Sequence, residues 1–161
     1  MSSIAIVTDT DASLPAEVAA RHGIKLVPIM IHFGEASFES DFEMDDTALF
    51  ARVDREGELP TTSAPAPGQF VEAYEAAFAE GAEKIVCFCV SGEVSATYGA
   101  AVVARDMFPD REIAVVDSRT LALAQGFVAL AAAEAAAAGA SVEKIVAHAT
   151  DVGQRSTLYA C

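Results

Sequence analysis

The sequence predicts an α/β domain whose mainly parallel sheet is flanked by helices, and three observations carry that expectation. Ile4-Ala5-Ile6-Val7, Lys84 to Val90 and Ile113 to Val116 are almost continuous apolar runs, the pattern of strands covered on both faces. Each is followed by a polar cluster and then by a stretch with helical spacing, and strands alternating with helices form parallel sheets through right-handed crossovers. The chain has 161 residues, the size of one domain with a core of its own.

Taken in order, Ile4 to Val7 is the first strand and ends at Thr8-Asp9-Thr10-Asp11. Pro15 opens a short helix that stops at His22-Gly23, with proline inside the start and glycine past the end. Ile24 to Phe33 reads as one β-rich stretch, pushed toward a sheet edge or a bulge by Pro28, which lacks an N–H. Gly34 to Phe42 reads as a polar loop. Asp45 and Asp46 favour a helix N-terminus, and Leu49, Phe50 and Val53 give that helix an apolar stripe as far as Gly57. Leu59 to Pro67 contains three prolines and is expected to be a stiff, irregular loop presenting hydroxyls. Phe70, Tyr74, Ala77 and Phe78 mark a helix face that Gly81 ends before the Lys84 strand. Ser95 to Met107 is expected to be helical, as is Leu121 to Ala138, and Ser141 starts a last helix running to about Gly153.

Composition narrows the function classes. Lys and Arg number 10 against 24 Asp and Glu, a net charge of −14. So acidic a protein repels phosphate backbones and anionic headgroups, and neither nucleic acid nor a membrane surface is an expected partner. Leu121 to Ala140 is apolar but interrupted by Gln125, Gly126, Glu134 and Gly139, which favours a buried alanine-rich helix over a membrane span. Cys87, Cys89 and Cys161 are too few and too badly spaced for a disulfide framework or a four-ligand zinc site. No basic leader precedes the first strand. A reducing compartment, the cytoplasm, is therefore expected. The closing run Leu158-Tyr159-Ala160-Cys161 has no turn after it, so residues 1–161 are expected to be a domain cut short at the C-terminus, with an apolar face left to self-associate.

Ligands of open parallel sheets gather outside the carboxyl ends of the strands. The hydroxyls there are Thr10 after the first strand, Ser91 and Ser95 after the Lys84 strand, with Thr97 just beyond, and Ser118 after Asp117. Thr61-Thr62-Ser63 can reach the same edge. Ser95 sits at an expected helix N-terminus, which favours an anion, so the implied ligand head is a carboxylate or phosphate. No histidine is expected near these positions, since His22 ends a helix, His32 sits in an edge strand and His148 lies on the last helix, which gives a Ser-His-Asp triad little support.

Four segments, in order, resemble the DegV family of fatty-acid-binding proteins: Ile4 to Thr10 followed by Leu14-Pro15; Leu59 to Pro65 with Pro67-Gly68-Gln69-Phe70; Ser91-Gly92-Glu93-Val94-Ser95-Ala96-Thr97-Tyr98; and Val116-Asp117-Ser118. The resemblance implies an α/β domain of this kind followed by a second domain, which is expected to be missing from residues 1–161, with a long-chain fatty acid held between them. Members of one subgroup present that acid to a separate fatty acid kinase. By the same resemblance Ser63 and Ser95 hold the carboxylate, with Thr62 beside them, and no cofactor, metal or catalytic residue is expected. The family usually has serine where this chain has Gly92 and glycine where it has Ala96.

Two other readings use the same residues. Asp9-x-Asp11 after a strand resembles the first motif of haloacid-dehalogenase-like phosphatases, with Mg²⁺ alongside the attacking aspartate. A remnant that binds no small molecule and serves only as an interaction domain is the third.

Overall fold

A computed structural model describes residues 3–159. Four strands, β1 (Ile4–Asp9), β2 (Ile24–Val27), β6 (Lys84–Cys89) and β7 (Glu112–Asp117), form a fully parallel sheet in the order β2-β1-β6-β7. Val7 lies opposite Cys87, and Cys87 opposite Val115. Successive side chains on a strand point to opposite faces, so β6 feeds two cores. Val86 and Phe88 join Ile6 on one face against Ala129, Ala132 and Ile145 of helices α5 (Ala122–Ala137) and α6 (Val142–Arg155). Ile85, Cys87 and Cys89 face Phe70, Tyr74 and Ala101 of helices α3 (Pro67–Ala79) and α4 (Thr97–Arg105) on the other. The short helix α1 (Ala16–Arg21) joins β1 to β2, and the expected α/β architecture is the observed one. Among the described residues no helix is long and apolar enough to cross a membrane.

Small residues let α5 approach the first strand's loop closely. A Cβ on Gly126 would stand 2.7 Å from the carbonyl oxygen of Ala12, in the short turn Thr10–Ala12. That neighbour is backbone and cannot swing aside. Gly126→Ala is therefore expected to cost about 1–3 kcal/mol of stability, read as a shift in the urea midpoint with an unchanged slope. A variant as stable as the parent would show that α5 can slide outward freely.

Between β2 and α3 the chain builds a second, antiparallel sheet that the sequence did not announce. Its strands are β3 (Met30–Phe33), β4 (Ala36–Glu39) and β5 (Thr61–Ser63), in the order β4-β3-β5. Three expectations are corrected here. Ile24 to Phe33 is not one continuous stretch: β2 does lie at the edge of the parallel sheet, but Pro28 ends it, the Ile29 amide donates to Thr10 Oγ1 at 3.0 Å, and β3 continues in the centre of the other sheet. Gly34 to Phe42 is not all loop, because β4 pairs back onto β3. Leu59 to Pro67 is not wholly irregular either. Its prolines flank Thr61 to Ser63 without interrupting it, and these residues pair with β3, Ser63 opposite Met30 and Thr61 opposite His32.

The inward face of this sheet, Ile31 and Phe33 with Phe38, packs on Met44 and on Leu49 and Val53 of α2 (Asp46–Glu56). The Arg52 guanidinium lies 4.4 Å from the Phe33 ring centre. As expected, Asp45 starts α2 by accepting the Ala48 amide at 2.8 Å, and Gly57 ends it at a φ of 68°. One further shift is small: α4 begins at Thr97, so Ser95 precedes the helix. Of the closing apolar run, Leu158 and Tyr159 follow α6 without regular structure and are exposed, while Ala160 and Cys161 lie outside the described residues.

Candidate functional site

The chain leaves β1 toward β2 on one side and leaves β6 toward β7 on the other. The crevice between the carboxyl ends of β1 and β6 is therefore the topological switch point, where open α/β sheets bind ligands. Asp9 ties its two walls together. This residue is fully buried, and its carboxylate accepts the Val90 amide at 2.9 Å and the Asp11 amide at 3.1 Å. Burial pushes its pKa up from an ordinary 3.8 to about 6, against the opposing pull of the Val90 hydrogen bond.

The raised pKa has a definite sign. Folded Asp9 keeps its proton over a range where the unfolded chain has lost it, so its contribution to stability is complete below about pH 4 and is lost as pH rises through about 6. The loss amounts to about 3 kcal/mol. Asp9→Asn cannot titrate, and between pH 4 and pH 7 the parent should lose about that much stability relative to it in urea unfolding. A constant difference between the two proteins across that range would contradict the shift.

A cavity of about 290 Å³ opens at this crevice. Val90, Val94, Ser95 and Ala96 line it from the segment after β6, Thr62, Ser63 and Ala64 from β5 and beyond, and Asp11 and Ile29 from the β1 and β2 ends. Asp11, Ile29 and Thr62 also border a second cavity of about 470 Å³, walled by Leu14, Pro15, Ile31 and Leu49 and rimmed by Asp41, Asp45 and Asp46. A third, of about 350 Å³, lies at the opposite, amino end of the sheet beside Ile4, Gly23 and Lys25.

The structure brings Thr62, Ser63 and Ser95 to one cavity. Ser91 is buried and builds the turn that presents Ser95: its carbonyl accepts the Val94 and Ser95 amides, and its Oγ accepts the Glu93 amide. Ser95 Oγ lies 2.8 Å from Thr97 Oγ1 and accepts the Thr97 amide at 3.3 Å. Thr97 is buried beneath it. Ala96 takes φ −76° and ψ 0°, right-handed backbone that requires no glycine. A side chain on Gly92 would bring a Cβ 3.2 Å from Asp117 Oδ2.

Two of the hydroxyls considered for the ligand edge have other work. Thr10 is buried and holds the Ile29 amide, and Ser118 closes a local turn with Thr120. The hydroxyl of Thr62, by contrast, is exposed and has no hydrogen-bond partner among the described residues. Ser63 is bonded to a histidine: His32 Nε2 stands 2.8 Å from its Oγ, while Nδ1 stands 2.8 Å from Ser37 Oγ. The expectation that no histidine lies near these positions is thus corrected. The β3–β5 register delivers His32, a long-range pairing that residue spacing does not reveal.

Asp9, which the phosphatase reading would make the nucleophile, is walled off from solvent with a backbone amide on each oxygen. Asp117 accepts the Gly92 and Arg119 amides. Asp9 thus holds backbone in place, whereas an attacking carboxylate needs a lone pair open to the cavity. Among the described residues no cluster of three or more His, Cys, Asp or Glu is spaced to hold a metal ion.

A parallel sheet covered on both faces, with a cavity at its switch point, places the domain among the open α/β folds whose ligands lie at the carboxyl ends of the strands. Residues 3–161 match the model of the family described as "Uncharacterised protein, DegV family", and the chain belongs to that family. It is 41% identical over 143 residues to a DegV domain-containing protein of Streptomyces coelicolor, a match spanning 89% of this chain and 50% of that relative. Two solved structures are similar. One, described as fatty acid binding of a DegV family protein from Thermus thermophilus, has a TM-score of 0.84 and 33% identity, covering 94% of this chain and 54% of the other. The other, DegV, a fatty acid binding protein from Bacillus subtilis, has a TM-score of 0.86 and 32% identity, covering 96% and 55%. The chain thus spans about half the length of the relatives it matches.

Proposed function

We propose that this domain binds a long-chain fatty acid, with the carboxylate at Thr62, Ser63 and Ser95. The observation that carries this reading is a switch-point cavity walled by Thr62, Ser63 and Ser95, in a fold shared with fatty-acid-binding proteins. Ser95 stands just ahead of the N-terminus of α4, where the helix dipole favours an anion. Burial of a methylene contributes about 0.8 kcal/mol, so a tail of about a dozen carbons supplies ~10 kcal/mol before the costs of association. The tail supplies affinity and the hydroxyls supply orientation, which is how so acidic a chain accommodates an anion.

Thr62 and Ser63 are exposed, so a carboxylate held there lies within reach of a second protein. On this reading the protein is a carrier that presents the acid to a partner kinase and turns nothing over itself. Free, buried Cys87 and Cys89 suit a reducing compartment, the cytoplasm. Leu123 and Phe127, exposed on α5, give the chain an apolar face through which to associate. Mass spectrometry of small molecules released on denaturing the purified chain is the test. A fatty acid in near-stoichiometric amount is expected. No released lipid, together with magnesium-dependent release of phosphate from an aryl phosphate, would transfer the assignment to the phosphatase reading.

A further inference from the structure

We propose that His32 is a positioning residue of the head-group site, which turns the Ser63 hydroxyl proton toward the ligand's carboxylate. The inference rests on the fatty-acid reading above and concerns a residue outside the cavity wall. Three side chains on the outward face of the small sheet form a line: Ser37 Oγ lies 2.8 Å from His32 Nδ1, and His32 Nε2 lies 2.8 Å from Ser63 Oγ. β3 sits between its two partners, so its histidine reaches a serine on each neighbour, and the backbone pairing of both strands fixes the ring.

A carboxylate only accepts hydrogen bonds, and a serine hydroxyl has one proton to give. If His32 Nε2 accepts from Ser63, that proton is spent on the ring and Ser63 offers the carboxylate only lone pairs. If Nε2 carries the proton and donates to Ser63 Oγ, the serine proton is free for the ligand. Nδ1 then accepts from the Ser37 hydroxyl. A carboxylate at Ser63 selects the second arrangement, in which the bonds run in one direction from Ser37 through His32 and Ser63 to the ligand, each polarising the next. An uncharged head that itself donates makes no such selection.

The test compares palmitate with 1-hexadecanol by displacement of a fluorescent fatty acid from the parent, His32→Phe and His32→Gln, and from Ser63→Ala with and without His32→Phe. His32→Phe is expected to weaken palmitate about fivefold, the worth of a hydrogen bond of about 1 kcal/mol, and to leave hexadecanol unchanged within about twofold. His32→Gln, which keeps a donor, restores most of the loss, and His32→Phe has no effect once Ser63 is alanine. In the unsubstituted protein, ¹⁵N shifts of the His32 ring with palmitate bound should show a proton on Nε2, a readout that requires no variant to fold. Equal losses for acid and alcohol, a loss that persists in Ser63→Ala, or an unprotonated Nε2 in the complex would each overturn the role of His32 while leaving fatty-acid binding intact. Failure of the parent to bind palmitate would instead overturn the head-group reading, and this inference with it.

Discussion

Phe88→Ala lowers the free energy of unfolding by about 3–5 kcal/mol and the melting temperature by about 10 °C. Phe88 is fully buried on β6, between Thr8 of β1 and Val116 of β7, and it fills the core shared with Val86, Val128 and Ile145. The residues of α5 in that core include Ala129 and Ala132, whose side chains are too short to extend into the space a ring leaves, so the cavity persists. A domain's net stability is only about 5–15 kcal/mol, and the substitution removes a large share of it. Phe88 is not among the residues lining the switch-point cavity, so lipid binding should fall only as far as the folded population does. Urea and thermal unfolding measure the first effect. A loss below about 1 kcal/mol would mean that α5 and the sheet close over the gap.

Removing hydroxyls from the cavity has the largest effect expected on binding. Ser95→Ala and Thr62→Val are each expected to weaken a long-chain fatty acid by roughly ten- to a hundredfold, since a hydrogen bond to a charged group is worth about 1.5–3 kcal/mol. Thr62 has no internal bond to lose, so its variant should melt with the parent. Ser95 also holds Thr97, and its variant should lose about 1 kcal/mol of stability besides. The two effects separate by titrating the acid well below the melting temperature. Parent-like affinity in both variants would remove the carboxylate from this cavity.

The strands that fill two cores were legible because burial on both faces leaves no room for polar side chains. Ile85 to Cys89 is apolar at every position for that reason. The small sheet was not legible. Ala36 to Glu39 alternates apolar and polar over only four residues, and Thr61 to Ser63 is three polar residues, too little for a period-two signal to stand out, and only their pairing with β3 makes them strands. Of the candidate site, the switch-point rule brought Ser95 forward and the resemblance to the DegV family singled out Ser63, and both line one cavity. Which hydroxyls hold backbone instead of ligand, Ser91 and Ser118 in their own turns and Thr10 on the distant Ile29 amide, depends on backbone geometry. His32 depends on a register between segments about thirty residues apart, and no local pattern encodes that.

Titrating palmitate into the ¹⁵N-labelled chain tests the central claim most directly, because amide shifts report where the ligand sits. The account predicts saturable shifts concentrated at Thr62 to Ala64 and at Ser95 to Thr97, the two walls of the switch-point cavity. Shifts confined to Ile4, Gly23 and Lys25 at the amino end of the sheet, or no shifts at all, would contradict it.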